Sequence, residues 1–527
     1  MSYEFSPGTA PALTIEKANK PVYNLKKTDA VFAVLMLVLG FLFWELLPPE
    51  ARYDYSNDYP DTGTLIGFKL PGLGATLFFL LALAICFVWM SLKGFRQNIK
   101  SGAALLAAVL GSLPFFLYGD LPIHIFLFLF ELLACLIWVC FTCRTEIVKS
   151  FGGFVFFDAV NQAFIVPFAN FSALPATKKV LAKRGAGRRL IAAFIGVVVS
   201  VPLIFGVLAL LMHADNSFKN ILDGFTGIVG PGRVWSYLWK ILLGIPVALY
   251  IFGLVHGNMS KRRAGLITNE SAHHFVDKAH RIPSAAVYAP LIILCIIYLI
   301  FIAALAGYLT AAFGSDLPGG YTYAEYARRG FFELCAVAAI NLCALGFAWL
   351  FSKRKAGGHP KPLRIIGGTL TALTLLLIMT AASKMIMYVD AYGLSRLRLY
   401  TLWFLLVLAC TFIVLLIWHI RPSGAGKPLV ITCVILFLSL YLANTDGMIA
   451  RYNVKNYLDG GLKTVDVEML VNMSDATAPW LYELYQNAPD SELRLAAKSG
   501  LDDTYKEDKS FNLQSKVIAE NIHKKLP

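Results

Sequence analysis

Residues 121–142 read LPIHIFLFLFELLACLIWVCFT, and this stretch decides the class of fold. A helix needs about 20 mostly apolar residues to cross a hydrocarbon core of roughly 30 Å. The stretch has that length, and Glu131 is the one carboxylate in it. Its apolar residues are continuous rather than alternating, which favours a helix over a strand of a membrane barrel. We therefore predict a membrane-spanning helix here.

Ten further stretches have the same character, so the chain is predicted to cross the membrane about eleven times. With the stretch above they lie near 30–47, 74–92, 102–118, 121–142, 190–212, 235–256, 285–312, 331–351, 365–387, 399–420 and 428–444. An apolar segment at 154–175 is broken by Pro167 and carries Asp158, Asn161 and Gln162. We expect it to lie along the inner membrane interface rather than to cross.

The composition agrees with a membrane protein. The 527 residues are 57% hydrophobic and 15% charged, with a mean hydropathy of +0.63, whereas soluble domains carry roughly 25% charged residues. The formal net charge is +14, which in a soluble protein would suggest nucleic acid as a partner. This composition excludes a water-soluble globule.

The positions of the basic residues give that charge another meaning. Of the 47 lysines and arginines, 27 lie in the segments predicted to be inside, beside only seven acids. By the positive-inside rule the N-terminus is then cytoplasmic and the C-terminus extracytoplasmic. The basic excess is explained by topology, and nucleic acid is not needed as a partner.

The expected fold is all-α: a polytopic membrane protein of about eleven transmembrane helices with a small helical extracytoplasmic C-terminal segment. Its parts are a cytoplasmic segment at 1–29, the transmembrane domain at 30–444 and a polar tail at 445–527. In the tail, Asp475 and the Asp490–Ser491 pair have the character of helix starts.

Motifs of soluble enzymes are missing, since the sequence has no P-loop, G-x-S-x-G, H-E-x-x-H or dinucleotide fingerprint. An enzyme is therefore the less favoured reading, and no cofactor is expected. Cys140 and Cys143 form a single C-x-x-C, which we interpret as packing residues. The run ESAHHFVDKAH at 270–280 has helical spacing for a divalent metal, but a solvated inner loop is the preferred interpretation, and no metal site is predicted.

Glu131 is the first candidate for chemistry. A carboxyl at the middle of a membrane helix is costly. Without a partner it is expected to be protonated and neutral, which suits proton coupling. The alternative is a structural hydrogen bond to a neighbouring helix.

The second candidate is a basic group on the predicted outer face. Three stretches emerge there: YTYAEYARRGFFEL at 321–334, KMIMYVDAYGLSRLRLY at 384–400 and NTDGMIARYN at 444–453. Arginine forks bind phosphate or carboxylate, and tyrosines at the headgroup level can hold an amphiphile. The candidate substrate-binding residues are Tyr323, Tyr326, Arg328, Arg329, Glu333, Asp390, Arg396, Arg398, Tyr400 and Arg451. Alternatively, the arginines pair with Glu325, Glu333 and Asp390 and only lock the helix ends.

These same three stretches carry a resemblance. YAEYARRGFFEL, YGLSRLRLYTLW and NTDGMIARYN resemble segments of a bacterial multi-pass membrane family catalogued as a domain of unknown function, the 4153/4173 type. The resemblance covers about residues 70–475. It implies a multi-pass fold in a bacterial cytoplasmic membrane, but no reaction, substrate or cofactor.

Three hypotheses for function stay open. The first is a membrane protein that binds or translocates an anionic or amphiphilic substrate through the arginine and tyrosine site. The second is a membrane-embedded transferase for a lipid-linked substrate, with Glu333 or Asp390 as base. The third is a scaffold or sensor whose tail binds a protein partner. The expected partners are the lipid bilayer and, at the arginines, an anionic lipid or a lipid-linked substrate.

Overall fold

The computed structural model describes residues 25–47, 72–118, 124–147, 155–182, 231–262, 283–313, 331–352, 360–421, 424 and 426–506. These residues form helices and turns, with no strand among them. Nine of the described helices are long and apolar enough to span a membrane, or ten if one bent pair counts as a span. The all-α, multi-pass character is thus confirmed, whereas the count of eleven is not. Of the eleven predicted spans, 190–212 lies outside the described residues and each of the other ten coincides with a helix.

The first bundle contains five long helices. They are α1 (Lys27–Leu46), α2 (Gly72–Leu92), α3 (Ile99–Leu117), α4 (His124–Cys143) and α8 (Pro231–Met259). Their buried side chains, such as Met36, Phe79 and Phe252, form one apolar core. α1 and α8 approach closely, because a Cβ on Gly40 would overlap the carbonyl oxygen of Gly244. Small residues at such a crossing let two helix backbones touch.

Between α4 and α8 the structure describes residues 155–182, which form short helical elements. They are α5 (Val155–Val160), a π-helical turn (Asn161–Ile165), α6 (Val166–Ala169) and α7 (Ala173–Ala182). Each is too short to cross a bilayer. The segment packs against α8, where Gly253 and Gly257 leave room for Pro167 and Asn170. The predicted break at Pro167 is wrong, because Pro167 lies within the helical stretch 155–169 and the turn follows at 170–172. The place of the segment along a membrane interface stays a prediction.

The second bundle is made of α9 (Ser284–Phe313), α10 (Phe331–Phe351), α11 (Lys361–Tyr392) and α12 (Arg396–Ile420). Its core again consists of apolar side chains. One buried polar chain crosses it: the Tyr298 hydroxyl donates to Asn341 Oδ1 over 2.8 Å, and Asn341 Nδ2 donates to Thr374 Oγ1 over 2.8 Å. Asn341 of α10 thus links α9 and α11 through its side-chain amide.

Helix α13 (Gly426–Leu442) joins the two bundles. On one side Phe437 stacks on Phe130 of α4, with 4.6 Å between ring centroids, and on the other Trp403 of α12 donates its indole N–H to the Leu436 carbonyl. Tyr118, just after α3, donates its hydroxyl to the Leu442 carbonyl over 2.7 Å. The ends of α3 and α13 and the start of α12 therefore lie at one end of the domain, which we call the Tyr118 end.

The opposite end is defined by a contact between the start of α3 and the end of α4. Asn98 Nδ2 donates to the Phe141 carbonyl over 3.1 Å, and Lys100 forms an ion pair with Glu146 at 3.6 Å. We call this the Thr142 end. By the predicted topology it faces the cytoplasm.

Beyond α13 the chain bends by 66° and continues into a helical tail. The tail contains α14 (Thr445–Leu458), α15 (Val467–Val471), a 3₁₀ turn (Asp475–Thr477), α16 (Ala478–Asn487) and α17 (Ser491–Lys506). Helices thus begin near Asp475 and at Ser491, where the sequence predicted them. The tail shares an apolar core with Val389 near the end of α11 and with Leu394 in the turn before α12.

Candidate functional site

Glu131 lies in the third turn of α4 and is 0% exposed. Its Oε1 atom accepts a long hydrogen bond of 3.8 Å from the thiol of Cys135. Its Oε2 atom has no hydrogen-bond partner among the residues that the structure describes. A carboxyl in this position is desolvated without compensation from a described cation, so its charged form is disfavoured.

Gly111 of α3 makes room for this carboxyl. A Cβ built on Gly111 would lie 2.5 Å from Glu131 Oε2 and 3.0 Å from the ring of Phe130. The carboxyl is therefore packed between α4 and α3 rather than turned toward lipid. The sequence placed Glu131 inside a long apolar helix, but only the fold shows that Gly111 of α3 lies next to its carboxyl.

Two of the three predicted outer stretches meet at the Tyr118 end. Arg396, in the first turn of α12, donates from Nε and Nη2 to the two carboxylate oxygens of Asp446 over 2.9 and 2.7 Å. Asp446 also accepts the backbone N–H of Ser474 over 3.1 Å. Asn453 adds a second link, since its amide bonds both the N–H and the carbonyl of Leu394.

Arg398 has a different environment. Its guanidinium lies over the ring of Tyr388 at 4.1 Å and donates to the carbonyls of Tyr392 and Gly393. It thereby satisfies carbonyls that the end of α11 leaves without helical partners. In this arrangement Arg398 acts as a helix cap.

Arg451 is exposed on α14, and its guanidinium lies 5.9 Å from the ring centroid of Trp480. Asp390 is exposed and accepts the hydroxyl of Tyr452 over 3.0 Å. Glu333, at the start of α10, is exposed and acts electrostatically on Lys384 of α11.

Arg396 and Arg398 therefore do hold helix ends, as the alternative interpretation proposed, but their partners differ from the acids that the sequence suggested. Asp446 holds Arg396, while Asp390 faces a tyrosine and Glu333 a lysine. Tyr400 is half-buried in the first turns of α12. Tyr323, Tyr326, Arg328 and Arg329 lie outside the described residues, as does Glu325.

Sequence reasoning missed Asp446 and Asn453 as site residues, although both stand in the stretch NTDGMIARYN. It also missed a buried polar cluster at the Thr142 end. There Thr145 donates to Asn258 Oδ1, and Asn258 Nδ2 donates to Gln162 Oε1 over 2.7 Å. The π-helical turn brings Gln162 inward, and such turns frequently occur at functional sites. The polar residues noted in 154–175 were the available signal.

A titratable group adjoins this cluster. Asp158 is buried, and its Oδ1 accepts the N–H of Ile147 over 2.8 Å. Burial raises the pKa of the Asp158 carboxyl to about 6; the bond from Ile147 and the charge of Lys100 oppose the rise, and Glu146 adds to it.

Metal-binding groups of three or more histidines, cysteines or acids do not occur within the described part of the chain. The run at 270–280 lies outside that part. Cys143 contacts Met90 sulfur to sulfur at 3.8 Å, and Cys140 lies beside Thr145. Both cysteines are buried, in keeping with a packing role.

The fold and these sites define a polytopic, all-helical membrane-type protein with a docked helical tail. Residues 104–484 match the family model described as Domain of unknown function (DUF4153). Because the match covers more than half of the chain, the chain belongs to this family. No curated protein and no solved structure matches the chain.

Proposed function

We propose that this protein is a transporter that moves an anionic or amphiphilic substrate across the membrane, coupled to protonation of Glu131. The observation that carries the proposal is the buried carboxyl of Glu131, one oxygen of which lacks a partner among the described residues. Ionisable groups inside membrane helices are rare and commonly belong to ion or proton pathways.

A structural role explains Glu131 less well. A structural carboxyl is expected to bridge helices through strong hydrogen bonds. Among the described residues its one hydrogen bond is the weak one from Cys135, one turn along the same helix. The contrast with Glu45 supports this reading, because Glu45 is paired with Lys240 of α8 at 2.6 Å.

The substrate class follows from the cations and aromatic rings at the Tyr118 end. Arg396 and Arg398 already hold a carboxylate and backbone carbonyls, so we assign the first contact with substrate to Arg451. Its guanidinium is exposed beside Trp480, and an aromatic ring with an adjacent cation suits an amphiphile with a negative head. Arg328 and Arg329 are proposed to complete the site.

A hydrophobic carbodiimide tests the protonation of Glu131 without knowledge of the substrate, because it modifies protonated carboxyls in apolar surroundings. In proteoliposomes we expect modification of Glu131, mapped by mass spectrometry, to become slower as the pH rises. Glu131→Gln should remove the modified peptide, and the matched variant Glu45→Gln should keep it. Absence of modification, or a rate independent of pH, would contradict proton coupling.

Retention of anionic phospholipid tests the substrate class. Native mass spectrometry of Arg451→Ala should show less bound anionic lipid than the unmodified chain. Arg421→Ala is the matched control, because Arg421 is an exposed arginine at the other end of α12. If both variants lost the same amount of bound anionic lipid, the lipid would be attracted by basic residues in general, and a site at Arg451 would be refuted.

A scaffold or sensor is the second candidate, and the docked tail favours it. α14 to α17 form a core with the ends of α11 and α12 rather than standing apart. A sensor should lose its partner when 460–506 is deleted and should tolerate Glu131→Gln. The transporter should fail with Glu131→Gln even when the tail is intact.

A further inference from the structure

Polar side chains form a stripe along α4 on one side of Glu131. Glu131, Cys135, Trp138 and Thr142 recur at intervals of four, three and four residues, which places them on one face of the helix. Trp138 and Thr142 are almost fully buried. The stripe runs from the carboxyl toward the Thr142 end.

Gln97, just before α3, covers the far end of this stripe. Its Oε1 atom accepts the indole N–H of Trp138 over 3.3 Å and faces the Thr142 hydroxyl at 3.2 Å. An indole nitrogen can only donate, so the amide orientation of Gln97 is determined. Its Nε2 atom is then a buried donor without a partner among the described residues. A buried amide N–H without an acceptor is costly, and a water oxygen is the simplest acceptor here.

The other side of Glu131 is apolar. One turn toward the Tyr118 end, the same face of α4 carries Leu127 and Phe128. Phe128 packs edge-on against Phe79, which in turn stacks on Phe115 of α3. Leu127, Phe79 and Phe115 are buried. This aromatic layer separates the carboxyl from the end that carries the arginines.

We propose that Glu131 exchanges its proton with the aqueous phase at the Thr142 end of α4, along this polar stripe, and not with the end that carries Arg396 and Arg451. The proposal rests on the proposed proton coupling of Glu131. The carboxyl oxygen donates its proton to a water molecule, so that a carboxylate and a hydronium ion form. The carboxylate is protonated again by the reverse step. Gln97 is a positioning residue that holds water in the stripe.

The route predicts from which side a reagent reaches position 131. In a background with the nine native cysteines replaced by alanine, Glu131→Cys should react with an impermeant thiosulfonate from one face of sealed vesicles. Ile99→Cys and Leu397→Cys mark the two faces, since they lie at opposite ends and are 93% and 80% exposed. We expect position 131 to react from the Ile99 face. Reaction from the Leu397 face, from both faces or from neither would overturn the route.

The variant Gln97→Leu tests the stripe itself. It should slow the labelling of position 131 several-fold, whereas Tyr118→Phe, at the other end of α3, should leave the rate unchanged. If both variants label like their parent, Gln97 does not hold the route open.

A measurement on the unmodified chain covers the case in which the cysteine-free background does not fold. When the pH is changed on one face of sealed vesicles at a time, the rate of carbodiimide modification of Glu131 should depend on the pH at the Ile99 face. A rate that depends on the pH at the Leu397 face would refute the route but not the proposed function. Absence of modification refutes the proposed function instead.

Discussion

Arg396 and Asp446 form a bidentate ion pair that ties the start of α12 to the start of α14, with nitrogen to oxygen distances of 2.9 and 2.7 Å. The two partners are unequally covered, since the side chain of Asp446 is 4% exposed and that of Arg396 26%. The pair therefore holds a nearly buried carboxylate at the point where the tail docks. Without Arg396 the Asp446 carboxylate would remain nearly buried and without a cationic partner.

The first prediction concerns this pair. Arg396→Ala should destabilise the chain by up to about 3 kcal/mol, because an unpaired buried carboxylate remains. Thermal unfolding in detergent measures the loss. Lys240→Ala is the control, since the Lys240–Glu45 pair is more exposed, at 25% and 37%, and its removal should cost about 1 kcal/mol or less. Equal effects of the two variants would show that burial of Asp446 is not decisive.

The second prediction concerns the crossing of α1 and α8. Gly244→Ala should lower the unfolding temperature, because a Cβ there would lie 2.6 Å from the Gly40 carbonyl carbon. Gly346→Ala, in the C-terminal half of α10, meets nothing within 4 Å, so it should be neutral or stabilise by up to about 1 kcal/mol through helix propensity. If Gly244→Ala unfolded at the same temperature as the unmodified chain, α1 and α8 would not be in close contact at this glycine.

The third prediction is a dependence of stability on pH. Because the folded chain raises the pKa of Asp158 from 3.8 to about 6, it binds this proton more tightly than the unfolded chain. The stability contributed by that proton is present below about pH 4 and is lost as the pH rises through about 6. Unfolding temperatures of Asp158→Asn should lack this decline. A decline of the same size in that variant would assign it to another group.

The fourth prediction concerns the polar chain through the second bundle. Asn341→Leu should cost about 1 kcal/mol, since it removes the bonds to Tyr298 and Thr374 inside an apolar core. A double-mutant cycle with Tyr298→Phe should give a coupling of similar size, about 0.6 kcal/mol or more. A coupling of zero would mean that the hydroxyl and the amide do not depend on each other in the folded state.

Local sequence was sufficient for the helices. Ten of the eleven predicted spans coincide with described helices because an apolar run of that length has one way to satisfy its backbone in lipid, whatever surrounds it. The start of α17 at Ser491 is another local feature, since Asp490 accepts the N–H of Glu492 only two residues away. The place of Glu131 inside a long apolar helix likewise followed from counting along one run of residues.

Contacts between distant residues needed the tertiary structure. Asp446 becomes the partner of Arg396 because the chain bends by 66° after α13 and carries α14 back over α12, and nothing within NTDGMIARYN determines that angle. Gln97, just before α3, contacts Trp138 of α4 only because α3 and α4 pack antiparallel. Hydropathy describes how strongly each residue prefers lipid or a protein interior to water. The neighbour that each polar group meets depends on how helices pack, which is a property of pairs far apart in the chain.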